Sequence, residues 1–195
     1  MTVNLEPATK QLGALVRAVP DDALGDPTPS DFSIGALLDH IGGFARAFTA
    51  AADKDVNTGE TDVPPPPDAN NLAADWRESI PAALDALAVS WNDPASWEGM
   101  TRIAGMDMPG KAVGVIALDE TIMHGWDLAR ATGQPFDADD ELLDALTDFL
   151  AEMSAPEMDV AREGLFGPVV AVPPDAPPLH RALGLAGRDP DWSPS

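Results

Sequence analysis

One segment constrains this chain more than any other. Between Pro109 and Gly133 runs GKAVGVIALDETIMHGWDLARAT, about six turns of helix at roughly 1.5 Å per residue. Proline is tolerated in the first turn of a helix, and Gly133 followed by Pro135 marks a C-terminal stop. On a wheel at about 100° per residue, Glu120, His124 and Asp127 fall near about 0°, 40° and 340°. That narrow sector also holds Val113, Ile116, Ala117 and Ala131, and the far side carries Val115, Leu118, Ile122 and Trp126. A helix apolar nearly all round is a buried one. Two carboxylates and an imidazole therefore sit on a face that belongs inside, where unpaired charges are costly. No Lys or Arg shares the face, so the compensating groups come from elsewhere in the fold, and a divalent cation is the simplest of them.

The rest of the chain reads as further helices. Leu5, Leu12, Leu15, Val16 and Val19 recur at helical spacings until Pro20-Asp21-Asp22 stops them. The turn-rich stretch DPTPSDFS (26–33) offers Ser30, Asp31 or Ser33 as the cap of a second helix reaching about Ala52. A linker from Asp53 to about Asn70 contains Pro64 to Pro67, which forbid helix and favour an extended run over the surface. A third helix is expected from about Asn71 to Ser90, with Leu72, Trp76, Ile80, Ala83, Leu84 and Leu87 on its stripe. Residues 95–108 read as an irregular or weakly extended loop. A fifth helix from about Ala138 to Met153 opens on acidic residues, as the helix dipole prefers. The Pro- and Gly-rich remainder holds one short helix near Leu179–Ala186. The expected fold is all-α: a helical bundle over residues 1–155, with an extra helix, and an irregular tail over 156–195 packing on it within one domain.

Composition narrows the function. The 195 residues include 11 Lys+Arg and 33 Asp+Glu, a formal net charge of −22, which argues against binding nucleic acid or an anionic membrane. With 45% hydrophobic residues the chain can still build a core, so the acidity reads as a solvating coat rather than disorder. There is no Cys, which removes disulfides, thiolate metal ligands and a protein thiol nucleophile. The N-terminal residues MTVNLEPATKQLG lack a basic region followed by an apolar one, and no apolar run approaches membrane-span length. A cytoplasmic protein, monomeric or homodimeric, is the expectation.

A metal on Glu120 and His124 needs a third ligand, and the chain has only three histidines: His40, His124 and His180. His40 lies in mid-helix, about 90° from the centre of the stripe Ile34, Leu37, Ile41, Phe44 and Phe48, and can point into the bundle. His180, within PPDAPPLHRALG, reads as a tail-packing residue. His40, Glu120 and His124 would make a two-histidine, one-carboxylate site with open positions. Asp127 would accept from an imidazole N–H. Plainer readings stand beside this one: His40 as a hydrogen-bonded core histidine, and Glu120–His124 as a side-chain pair. The tryptophans read as core anchors.

The segments DPTPSDFSIGALLDHIGG (26–43) and DETIMHGWDLARATG (119–133) resemble the two signature segments of the mycothiol-dependent maleylpyruvate isomerase-like metal-binding proteins, in the DinB-like superfamily of four-helix bundles. The tail FGPVVAVPPDAPPLHRALGLAGRDPDW (166–192) is similar to that of an actinobacterial branch of unassigned activity. The resemblance places the family's ligands on His40, Glu120 and His124. It implies zinc as in the isomerase branch, with nickel, iron or manganese used by other DinB-like proteins. It also implies mycothiol or another small thiol as cosubstrate for an electrophilic substrate. The isomerases carry an additional C-terminal domain, whereas here about 40 residues follow the fifth helix. Arg46, Arg77 and Arg102 are candidates, on charge alone, for holding a substrate carboxylate. The expected function is thus metal-dependent chemistry of a small thiol, an S-transferase or isomerase, in which the cosubstrate supplies the sulfur that the chain lacks. A metal-dependent hydrolase and a non-catalytic metal- or ligand-binding bundle are the alternatives.

Overall fold

The structure is a computed structural model that describes residues 2–158, 162 and 165–194. The described residues hold six α-helices and one β-hairpin: α1 (Glu6–Arg17), α2 (Ile34–Ala52), α3 (Trp76–Trp91), β1 (Met100–Ile103), β2 (Met106–Pro109), α4 (Gly110–Thr132), α5 (Asp140–Met153) and α6 (Pro178–Leu185). The all-α bundle is the observed architecture, and the hairpin is a small addition to it.

The four long helices close a ring in which α1 and α2 occupy opposite corners, each flanked by α3 and α4. Their apolar stripes meet in one core that includes Leu12, Val16, Leu37, Ile41, Leu84, Leu87, Leu118 and Ile122, all fully buried. At roughly 25 cal/mol per Å² of apolar surface, this burial is the main force holding the ring together. The pairing of α2 with α4 brings the two signature segments face to face. Helix α5 packs on α4, and α6 packs on α5.

Local chemistry fixes the ends of the two helices that matter most. Ser33 begins α2, its Oγ accepting from the Ala36 N–H at 3.3 Å, while Gly133 ends α4 in the left-handed conformation at φ 67°. The polyproline segment lies outside any helix or strand, and the chain just after it is tied to α2 where the Asp68 N–H donates to Asp39 Oδ2 at 3.1 Å.

Two expectations are corrected. Helix α3 begins at Trp76, not near Asn71. Residues Ala69–Asn71 instead form a 3-10 turn, closed by the Asp68 side chain accepting from the Asn70 N–H, and Leu72 leaves it in extended conformation. Residues 95–108, expected as an irregular or weakly extended loop, are ordered as a turn and a hairpin. A 3-10 turn at Pro94–Trp97 leads into the antiparallel pair β1–β2, which pairs Met100 with Pro109 and Ile103 with Met106. Ala104 and Gly105 make the turn with φ of 49° and 76°, the two positive angles that match the twist of a tight hairpin. The hairpin is anchored where Thr101 Oγ1 donates to the Ala51 carbonyl at 2.6 Å, and Trp97 lies in the core against Trp91. Gly114 permits that packing, since a Cβ there would lie 2.5 Å from the Trp97 ring.

Candidate metal centre

Helix α4 presents Glu120 and His124 one turn apart, and α2 presents His40 opposite them. Glu120 Oε2 lies 3.1 Å from His40 Nε2 and 3.2 Å from His124 Nε2. One donor atom from each of the three residues falls within 4.8 Å of the other two. The side chains of His40 and Glu120 are 24% and 26% exposed and that of His124 is 9% exposed, so solvent reaches the cluster mainly at His40 and Glu120. Aromatic rings wall it. Phe32 lies 5.7 Å from the His40 ring and 6.5 Å from the His124 ring, and Phe44 lies 5.7 Å and 6.3 Å from the same two. Phe32 is placed by the turn before α2, where the Thr28 hydroxyl donates to its carbonyl at 2.9 Å.

The other nitrogen of His124 is already engaged. Nδ1 lies 3.0 Å from Oδ2 of Asp127, whose side chain is fully buried. The same oxygen accepts from Arg188 in the C-terminal tail at 3.1 Å, and Arg188 Nε lies 3.5 Å from Oδ1. His124 therefore has Nε2 free to face Glu120 and His40.

The electrostatics follow from this crowding. Burial pushes the Glu120 carboxyl up, but hydrogen bonds from His124 and His40 outweigh it and hold the group well below the usual carboxylate range. Burial alone would lower His124, yet its hydrogen bonds to Asp127 and Glu120 raise its pKa to about 9. Burial likewise pushes Asp127 up, and is overcome by His124 and Arg188, which hold it low. Asp119 differs. It is buried, its Oδ1 has no hydrogen-bond partner among the described residues, and burial together with the neighbouring Glu120 raises it to about 7.

These residues fit a divalent ion. Two imidazole nitrogens and one carboxylate oxygen are a standard borderline donor set, with no ammonium or guanidinium bonded to any of the three among the described residues. Two ligands each roughly 2.0–2.1 Å from one tetrahedral zinc stand about 3.3 Å apart, close to the separations observed. His40, Glu120 and His124 could hold the ion, and positions on the open side would stay free.

Residues 5–129 match the family of the mycothiol maleylpyruvate isomerase N-terminal domain. The chain belongs to that family. Uncharacterized proteins from two strains of Mycobacterium tuberculosis are 29% identical to it over 137 residues, which is 69% of each chain. Its fold is that of the mycothiol-dependent maleylpyruvate isomerase, whose crystal structure superposes with a TM-score of 0.56 at 20% identity, over 74% of this chain and 65% of the isomerase. A mutant of the same enzyme matches with a TM-score of 0.56 at 18% identity. The chain thus spans just under two thirds of the solved isomerase.

The other residues singled out from sequence lie elsewhere. Arg46, 58% exposed, pairs loosely with Glu60 at 3.7 Å. Arg77 donates to the Val19 carbonyl and to Asp21, both at 2.7 Å, and covers the Trp76 ring. Arg102 pairs across the hairpin with Asp107 at 2.9 Å. No hydrogen bond or ion pair among the described residues joins these three arginines to the cluster. His180 is half-buried in α6. Trp76, Trp91, Trp97 and Trp126 are buried, as anchors of the core should be. Sequence reasoning missed Arg188 and Asp119. The demand for Arg188 was visible in the buried Asp127 with no cation on its own helix face, but its source was not.

Proposed function

We propose that this chain is a metal-dependent enzyme of low-molecular-weight thiol chemistry, an S-transferase or isomerase that uses mycothiol or a related thiol. The reading is carried by the convergence of His40 with Glu120 and His124, across two helices, in a chain whose family takes its name from a mycothiol-dependent isomerase. A bound divalent ion, zinc first among the candidates and then nickel, iron or manganese, would supply the Lewis acidity that ionises a thiol at neutral pH.

The chain's own residues do the rest. His40, Glu120 and His124 hold the ion, contributing one negative charge between them, so the centre keeps a net positive charge toward an incoming anion. Asp127 accepts the Nδ1 proton of His124 and so keeps Nε2 as the ligating nitrogen. Phe44 stacks on the His124 ring and Phe32 lies tilted against both imidazoles, so apolar rings line the cluster. The absence of Cys leaves no protein thiol to compete with the cosubstrate. Arg46, Arg77 and Arg102 remain candidates for a substrate carboxylate, of which Arg46 is the most exposed and the least firmly paired. The bundle over 1–155 and the tail over 156–195 act as one unit, joined where Arg188 meets Asp127.

The test is turnover by zinc-loaded protein, with mycothiol and a panel of electrophiles that includes maleylpyruvate, beside the Glu120→Ala variant. Turnover that requires the thiol and disappears in the variant supports the proposal. Turnover without thiol points to a metal-dependent hydrolase. Full loading with no turnover by any thiol points to a binding bundle.

A further inference from the structure

We infer that Arg188 is a positioning residue of the metal centre: by clamping the Asp127 carboxylate it fixes the His124 imidazole with Nε2 toward Glu120 and His40. The inference rests on the metal reading above and assigns the C-terminal tail a part in it.

The first observation is one of charge and geometry. Asp119, Glu120 and Asp127 put three carboxylates on one stretch of α4, and the Arg188 guanidinium bonds the last of them. Arg130, one turn beyond Asp127, is directed instead to the Trp192 carbonyl. The Arg188 fork reaches both Asp127 oxygens, so it sets the plane of a carboxylate whose Oδ2 also receives the His124 Nδ1 hydrogen bond. A side chain held at both oxygens cannot turn away from the imidazole.

The second observation is how the arginine is aimed. Helix α6 ends in a Schellman turn: the Arg188 N–H donates to the Leu183 carbonyl at 2.8 Å and the Gly187 N–H to the Gly184 carbonyl at 3.1 Å. Gly187 adopts φ 81°, and a Cβ there would lie 2.7 Å from the Gly167 backbone, so only glycine fits both the angle and the crossing. Ala182, Leu183 and Ala186 anchor the helix in the core. Arg130 grips the chain four residues beyond Arg188, at Trp192. The arginine is thus delivered by a rigid, doubly anchored turn, an arrangement that a simple surface clamp would not need.

Zinc affinity, read by competition with a chromophoric chelator on the full chain, tests the inference. Circular dichroism confirms folding of each variant, and the cobalt(II) absorption spectrum reports ligand geometry. Arg188→Gln should bind zinc about 10- to 100-fold more weakly, the effect expected when a group that orients a ligand is lost. Arg188→Lys, which keeps the charge but not the fork, should recover part of that loss while its cobalt spectrum stays altered. In an Asp127→Asn background the Arg188→Gln effect should largely vanish, because the arginine acts through that carboxylate. Wild-type affinity in folded Arg188→Gln or Arg188→Lys overturns the inference, as does an undiminished effect in the Asp127→Asn background. A wild-type chain that binds no zinc overturns the metal reading and this inference with it.

Discussion

Metal binding at the triad should depend steeply on pH, because the ion must displace a proton from His124. In the metal-free protein burial opposes the imidazolium, but Asp127 and Glu120 bond to it and raise its pKa to about 9. An ion on Nε2 requires the neutral ring, with the remaining proton on Nδ1 facing Asp127. At pH 7, two units below that pKa, about 1% of His124 is neutral, which weakens apparent affinity about 100-fold, or roughly 2.7 kcal/mol. Affinity should therefore rise about tenfold per pH unit from about pH 7 toward pH 9, with about one proton released per ion bound. The assay is zinc competition against a chelator of known proton linkage between about pH 6.5 and 8.5, with proton release followed in weak buffer. A flat corrected affinity, or binding without proton release, would refute the reasoning. The same shift has a sign for folding. With its folded pKa above the ordinary histidine value of 6.5, His124 contributes stability to the metal-free protein that is fully present below about 6.5 and lost as pH rises through about 9.

Three further outcomes follow from single contacts. Asp127→Asn should leave the helices intact by circular dichroism and weaken zinc binding about 10- to 100-fold, since a neutral amide is a poorer acceptor for His124 Nδ1. Gly187→Ala should lower stability by about 1–3 kcal/mol in urea denaturation, because it combines a positive φ with contact against the Gly167 backbone. By shifting Arg188 it should weaken zinc binding too. Ala104→Asn should stabilise the protein by about 0.5–1 kcal/mol, seen as a higher Tm, by placing an Asn-Gly pair in the hairpin turn where Ala104 now holds φ 49°.

What could be read from the residues alone tracks how local the determining physics is. The start and stop of α4 are written in Pro109 and Gly133, and its burial in the absence of a polar face. Ser33 caps α2 as one of three residues offered for the task. The wheel groups Glu120, His124 and Asp127 because helical spacing fixes which side chains share a face. It does not say which helix lies opposite. That His40 belongs with them came from its flank position on α2 together with the family resemblance, and the packing of α2 on α4 brings it within 3.1 Å of Glu120.

The misses are of two kinds. The hairpin strands are four residues each, too short for alternation to register, and Ala-Gly is a weaker turn signal than Asn-Gly. Leu72 falls in register with the α3 stripe, but the Asp68-capped turn before it diverts the chain and delays the helix to Trp76. Arg188 is separated from Asp127 by 61 residues and sits in a Pro- and Gly-rich tail, where periodicity carries no information. The local signal was a short apolar helix followed by Gly187 and then a basic residue.

The central claim is that His40, Glu120 and His124 hold one divalent ion. Elemental analysis of untagged protein, as purified and after chelation and zinc reconstitution, tests it directly when run beside Glu120→Ala and His40→Ala. The account predicts one ion per chain, removed by chelation, restored by zinc, and lost in both folded variants. Absence of metal after reconstitution, or full occupancy in both variants, would contradict it.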